Sequence, residues 1–201
     1  MKRSVILIIF GLLFLSTVMS YENNIIEFKG IRILTRSFGI NNNNYFEEDL
    51  KLIFDDFEGV FLLGKKDDYI SLTKEDIKML KSVIEKYYEW EKIAILNKVK
   101  IQKDIPGSNI KTVEFQNKTS RGEYSKKPIS IKIIFFSQNE LEHQLVIDLA
   151  ENEKYYIGLF NSPLYINKGE VDKLYTSIAD EKIEKIYSDY KNSLEKLKLF
   201  N

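Results

Sequence analysis

The sequence predicts an α+β domain: a mainly antiparallel β-sheet of hairpins and meander, with a long mid-chain helix and a C-terminal helical segment packed on one face. Three observations carry that expectation. Short apolar runs separated by turn residues fill 99–166, several of them alternating in polarity with a period of two. A three- and four-residue apolar period governs Leu72–Leu96 and returns after Gly169. The composition, 44% hydrophobic and 13% aromatic with 30% charged, is that of a globular chain and not of a disordered one.

The chain begins with an export signal. Lys2 and Arg3 precede "VILIIFGLLFLSTV", Val5–Val18, which carries no charge. Val18 and Ser20 supply small residues at the −3 and −1 positions, so cleavage is expected after Ser20. Residues 1–20 are then a signal peptide, and 21–201 form a single domain exported to a periplasm or the extracellular space. The apolar run is shorter than the roughly 20 residues that span a bilayer, so no stable membrane span is expected after cleavage. Retention of the segment as an anchor is the alternative. With no cysteine in the chain, neither a lipidated cysteine nor a disulfide is available, and the core alone must hold the domain together.

Within the domain, "IIEFKGIRILTRSF" favours one or two strands, and Asn41–Asn44 reads as a loop. Phe46, Leu50, Ile53, Phe54 and Phe57 fit a helical face, which predicts a short helix before Gly59, followed by strands at Val60–Leu63 and Tyr69–Leu72. Thr73 and Asp76 form an approximate capping box for the long helix. Ile77, Leu80, Ile84, Tyr87 and Glu91 make one stripe on that helix, flanked by Val83, Tyr88, Trp90 and Ala94. Pro106-Gly107 is a turn, and "IKTVEF", "ISIKIIFF", "LEHQLVIDL", "KYYIGLF" and "LYI" are extended runs. From Val171 onward the chain is helical, and a five-residue step from Ile178 to Ile183 predicts an interruption at which Asp180 starts a second segment.

Composition excludes much chemistry. One histidine and no cysteine rule out a Cys-His dyad, a cysteine-based zinc site and any two-histidine site within one chain. Neither G-x-S-x-G nor a phosphate-binding glycine loop occurs, and no cofactor or metal is expected. The acid clusters "FEEDL" and "FDDFE" lack the EF-hand spacing and are expected to be the solvated side of the short helix. Losing Lys2 and Arg3 from a chain of 30 basic and 30 acidic residues leaves 28 against 30, a balance that favours no nucleic-acid partner.

Two groups of candidate site residues remain. The segment "KTSRGEYSKKP" places Lys118, Arg121, Tyr124, Lys126 and Lys127 at an expected hairpin tip, able to attract an acidic surface. Asn117, Lys118 and Thr119 also fit an N-glycosylation sequon, which matters only in a eukaryotic secretory route. Tyr87, Tyr88 and Trp90 offer an aromatic platform, although their spacing equally suits a helix buried on a sheet, the preferred reading. The second candidate is His143, the only histidine. Alternation sets Ile129, Ile131, Ile133 and Phe135 on one strand face, and Leu141, His143, Leu145, Ile147 and Leu149 on one face of the next, with Ser137–Glu140 as the turn. A histidine there either packs as a neutral imidazole or faces a cleft as a titrating group.

Two functional readings follow. The preferred one is a non-enzymatic periplasmic or surface module that binds a protein, a peptide or an envelope polymer. The other is a small extracytoplasmic hydrolase that uses carboxylates or His143.

Overall fold

The computed structural model describes residues 26–36, 45–65, 68–118, 124–149 and 163–198. The expected signal segment, Asn41–Asn44, Arg121 and the run "KYYIGLF" lie outside the described residues. Nine strands and three helices alternate as β1 (Ile26–Arg36), β2 (Tyr45–Asp55), β3 (Val60–Lys65), β4 (Asp68–Leu72), α1 (Lys74–Asn97), β5 (Gln102–Asp104), β6 (Ile110–Lys118), β7 (Tyr124–Ser137), β8 (His143–Leu149), β9 (Leu164–Asn167), α2 (Lys168–Ser177) and α3 (Asp180–Lys198) among the described residues. The α+β class, the mainly antiparallel sheet, the long mid-chain helix and the C-terminal helical segment are all present.

Every strand pairing is antiparallel, and the pairings close on themselves. They run β1–β2–β3–β4–β6–β7–β8–β9, and β9 returns to β1 through Leu34↔Tyr165 and Thr35↔Leu164. The small strand β5 pairs with the second half of β7, and Ile105 N–H donates to Ile133 O, so β5 and β6 follow one edge of β7 as an interrupted strand. The interruption is the Pro106-Gly107 turn. Gly107 takes φ +78 and Ser108 N–H donates to Ile105 O at 3.1 Å, as a type II turn with proline first requires. A meander that closes leaves fewer free edges for other chains to pair with than an open one.

The expected short helix before Gly59 is absent. Residues 45–55 are strand β2 instead, paired along its length with β1 and partly with β3. Leu50, Leu52 and Phe54 alternate inward with the period of a strand, and the neighbouring Asp49, Lys51 and Ile53 are less buried. The same residues fit a helical face by coincidence, because positions 50, 53, 54 and 57 satisfy a three-four period while 50, 52 and 54 satisfy a period of two. Phe57, the last residue of the assumed stripe, is 74% exposed in the turn that follows. The acid cluster "FEEDL" accordingly lies within a strand, and "FDDFE" spans the end of that strand and the turn after it.

Helix α1 starts where the capping box predicts. Asp76 N–H donates to Thr73 Oγ1, and Thr73 N–H donates back to Asp76. Its stripe of Ile77, Leu80, Val83, Ile84, Tyr87 and Ala94 is buried in one core with Phe61, Leu63, Ile131, Ile133, Phe135, Leu145 and Ile147. Each such aliphatic side chain contributes roughly 1.5–3 kcal/mol on burial. Helices α2 and α3, parted at Ile178–Ala179, add Val171, Leu174, Ile178, Ile183 and Ile186 to the same core. Lys74 bonds Glu184 at 2.6 Å and Lys81 bonds Asp180, which ties α3 along α1. No helix of the described residues is long and apolar enough to cross a membrane.

Candidate functional site

The hairpin β7–β8 carries the only histidine to the wall of a polar cleft. Ile129, Ile131, Ile133 and Phe135 are buried on the face that alternation assigns to them, and His143, Leu145 and Ile147 are buried on theirs. The turn is longer than expected. Strand β7 runs through Ser137 and β8 starts at His143, so Leu141 sits in the connection, 68% exposed, and not in the inward row. Asn139 organises that connection: its Oδ1 accepts from the amides of Leu141 and Glu142, and its Nδ2 donates to Glu142 Oε2 at 2.6 Å.

His143 is held on three sides. Its ring stacks on Phe135 with centroids 5.2 Å apart, and Trp90 and Tyr87 pack on the same phenylalanine. Its carbonyl accepts from Tyr87 Oη at 2.9 Å. Its Nδ1 lies 3.0 Å from the hydroxyl of Ser137, its cross-strand partner. Ser137 Oγ also accepts from Ile101 N–H, so this hydroxyl ties the imidazole to the backbone of Ile101. The other ring nitrogen, Nε2, is buried on a residue 3% exposed and has no hydrogen-bond partner among the described residues.

Beside the imidazole stands a half-buried charge pair. Glu91, the acid on the apolar stripe of α1, is almost fully buried and accepts from Lys168 Nζ at 2.6 Å. Lys168 is the first residue of α2, and its side chain is half exposed. Burial lowers the His143 pKa below its ordinary 6.5; Glu91 opposes that shift and Lys168 reinforces it. Burial thus favours the neutral form of the imidazole.

Glu91, Gln138, Leu141, Glu142, His143, Gln144, Asn167, Lys168 and Gly169 line one cleft of about 450 Å³. His143 belongs to this wall, whereas Ser137 and Phe135 do not. Gln144 Nε2 donates to Asn167 Oδ1 at 2.7 Å, which fixes the floor between β8 and β9. A Cβ added at Gly169 would meet nothing within 4 Å, so the wall is open there.

The other candidates fall elsewhere. The pairing of β6 with β7 sets Lys118 opposite Tyr124, Lys126 opposite Gln116 and Lys127 opposite Phe115, as a hairpin requires, and Arg121 lies outside the described residues. Tyr87 is fully buried, and Tyr88 and Trp90 pack against the core as partly buried rings, so the trio is core more than platform. Among the described residues no group of three or more histidine or acidic side chains is placed to hold a metal ion. Sequence reasoning did not single out Glu91 and Lys168 as site residues. The signal available for Glu91 was its place as the one acid on the apolar stripe of a helix.

No family model, curated protein or solved structure matches this chain.

Proposed function

We propose that the chain is an exported, non-enzymatic binding module of the periplasm or cell surface, whose site is the cleft around His143, Glu91 and Lys168. The observation that carries this reading is a polar cleft lined by His143, whose buried Nε2 has no hydrogen-bond partner among the described residues. A buried polar atom left unpaired costs roughly 1–3 kcal/mol, and a ligand that brings it a partner recovers that amount. The partner is a peptide, a protein segment or an envelope polymer that presents a small polar group to the cleft, with Leu141 as an apolar contact at the rim.

The pairing of Ser137 with His143 favours a second reading, a small extracytoplasmic hydrolase. Two features weigh against it. Ser137 Oγ is buried, engaged by Ile101 N–H and absent from the cleft wall. Both wall carboxylates already accept bonds, Glu91 from Lys168 and Glu142 from Asn139.

Fractionation of the source organism with N-terminal sequencing tests the export claim. A mature protein that starts at Tyr21 outside the cytoplasm supports it, and an intact Met1 in the cytosol sinks it. For the site, a panel of synthetic peptides and of acidic and neutral oligosaccharides is titrated into the wild type and into Gly169→Trp, which fills the cleft. The reading predicts saturable binding without turnover, lost in Gly169→Trp. Binding that survives in that variant, or hydrolysis of the bound compound, overturns it.

A further inference from the structure

We propose that the end of α1 and the turn that leads into β5 form a second surface, which lies on an anionic lipid bilayer. Among the described residues, Ile93, Ile95, Leu96, Val99 and Ile101 are exposed, Leu96 to 82%. They are five of the ten large exposed hydrophobics and fall within nine consecutive residues, whereas exposed aliphatics scattered singly need no explanation. The stretch from Lys92 to Lys103 also contains four lysines, Lys92, Lys98, Lys100 and Lys103, and no acid, in a chain whose charges balance at 30 against 30. All four are exposed, and no ion pair engages them among the described residues. Of the nearest acids, Glu91 is buried and held by Lys168, Glu89 is held by Lys86, and Asp104 borders the patch.

The exposure is built into the backbone. Lys98 takes the left-handed conformation at φ 51, Val99 N–H donates to Ala94 O at 3.1 Å, and Lys98 N–H donates to Ile95 O at 3.3 Å. These bonds make a Schellman ending that turns the chain out of α1. Ile101 then anchors on β7, its N–H donating to Ser137 Oγ and its carbonyl accepting from Ser137 N–H. Both ends of the turn are tied, yet its side chains face solvent. Glycine is the usual residue at such a left-handed position, and here it is a lysine.

Charge and shape choose the partner. Aliphatic tips between ammonium groups match the boundary of a bilayer, where acyl chains lie beneath anionic headgroups. The basic residues are all lysine, a compact charge drawn to a diffuse negative surface, and none is arginine, whose planar fork pairs with a single carboxylate on a protein. The patch shares no residue with the cleft at His143. Trp90, the only tryptophan in the chain, stands at its border, with Lys103 Nζ 5.7 Å from the ring centroid.

The full chain is mixed with vesicles of phosphatidylglycerol or of phosphatidylcholine, each with brominated acyl chains, and the fluorescence of Trp90 is read. Quenching reports on this patch and not on the N-terminal apolar run, because Trp90 is the single tryptophan. The expected result is saturable quenching on the anionic vesicles, with partition at least about tenfold weaker on phosphatidylcholine and weaker at raised salt. Leu96→Ser weakens partition at least about tenfold with the circular dichroism spectrum unchanged, and Lys100→Gln weakens it about fivefold. Lys98→Gly suits the left-handed backbone, so it holds or raises the thermal midpoint while it lowers partition about fivefold. Absence of quenching overturns the proposal, as does equal quenching on phosphatidylcholine, or quenching that Leu96→Ser and Lys98→Gly leave unchanged. Self-association that Leu96→Ser abolishes, with no effect of lipid, assigns the face to a second copy of the chain. Binding of an acidic peptide there, with no effect of lipid, assigns it to a protein, and either result overturns the bilayer.

Discussion

Lys168 and Glu91 join the start of α2 to the last turns of α1 across 2.6 Å, and only the lysine end of that pair meets solvent. Removing the lysine strands a carboxylate in the core, which is worse than never having had the pair. Lys168→Met is expected to cost roughly 2–4 kcal/mol, and the double variant Glu91→Leu, Lys168→Met to recover most of it. Urea unfolding of the four proteins checks this. Additive losses in the double variant would show that the two side chains do not depend on each other.

Acid should act on the fold through His143. Its folded pKa is lowered, chiefly by burial, so the unfolded chain binds the proton first as pH falls below about 6.5. Stability conferred by the neutral ring is therefore complete above that value and is lost as pH falls toward the folded pKa. The charges facing the ring are Glu91 from α1 and Lys168 from α2, with Glu142 in the same cleft wall. Between pH of about 7 and 5, His143→Gln should lose less stability than the wild type. Parallel pH curves for the two proteins would remove His143 as the cause.

The hydroxyl of Tyr187 is the other buried polar atom without a partner among the described residues. Its ring lies in an edge-on cluster with Phe54 and Phe61, and burial pushes its pKa up to about 12. The hydroxyl contributes no bond there, so Tyr187→Phe should be neutral or stabilise by up to about 1 kcal/mol. Tyr87 differs, because its hydroxyl donates to His143 O. Tyr87→Phe should cost about 1 kcal/mol, and the contrast between the two substitutions in thermal unfolding is the check.

Gly59 closes the β2–β3 turn at φ +69, with its N–H donating to Asp55 O at 2.8 Å. A Cβ there would stand 2.7 Å from Cε1 of Tyr190 on α3. Gly59→Ala should destabilise by roughly 1–3 kcal/mol from backbone strain and overlap together. Adding Tyr190→Ala should remove the overlap part of that loss but not the strain, so a double variant whose losses simply add would show that α3 does not rest on this turn.

Much of the fold was legible because local signals agreed with it. Thr73 and Asp76 marked the start of α1, Pro106-Gly107 the turn between β5 and β6, and the Ile178–Ile183 step the break between α2 and α3. The segment 45–57 misled because an apolar strand with extra aromatics satisfies two periods at once, and only pairing with β1 and β3 decides between them. The site was half legible. His143 stood out by being alone, but Lys168 lies in sequence 77 positions from Glu91, and nothing local connects them. Closure of the strand cycle by β9 and β1 is likewise a long-range fact, carried by two residue pairs.

The central claim is that the cleft at His143 is where this protein meets its ligand. The most direct measurement is the ¹⁵N spectrum of the single imidazole before and after addition of the low-molecular-mass fraction of the source organism's envelope. A change at Nε2 in the wild type that is missing in Gly169→Trp is the result the account predicts. An Nε2 signal that stays put, while the fraction binds the protein elsewhere, would contradict it.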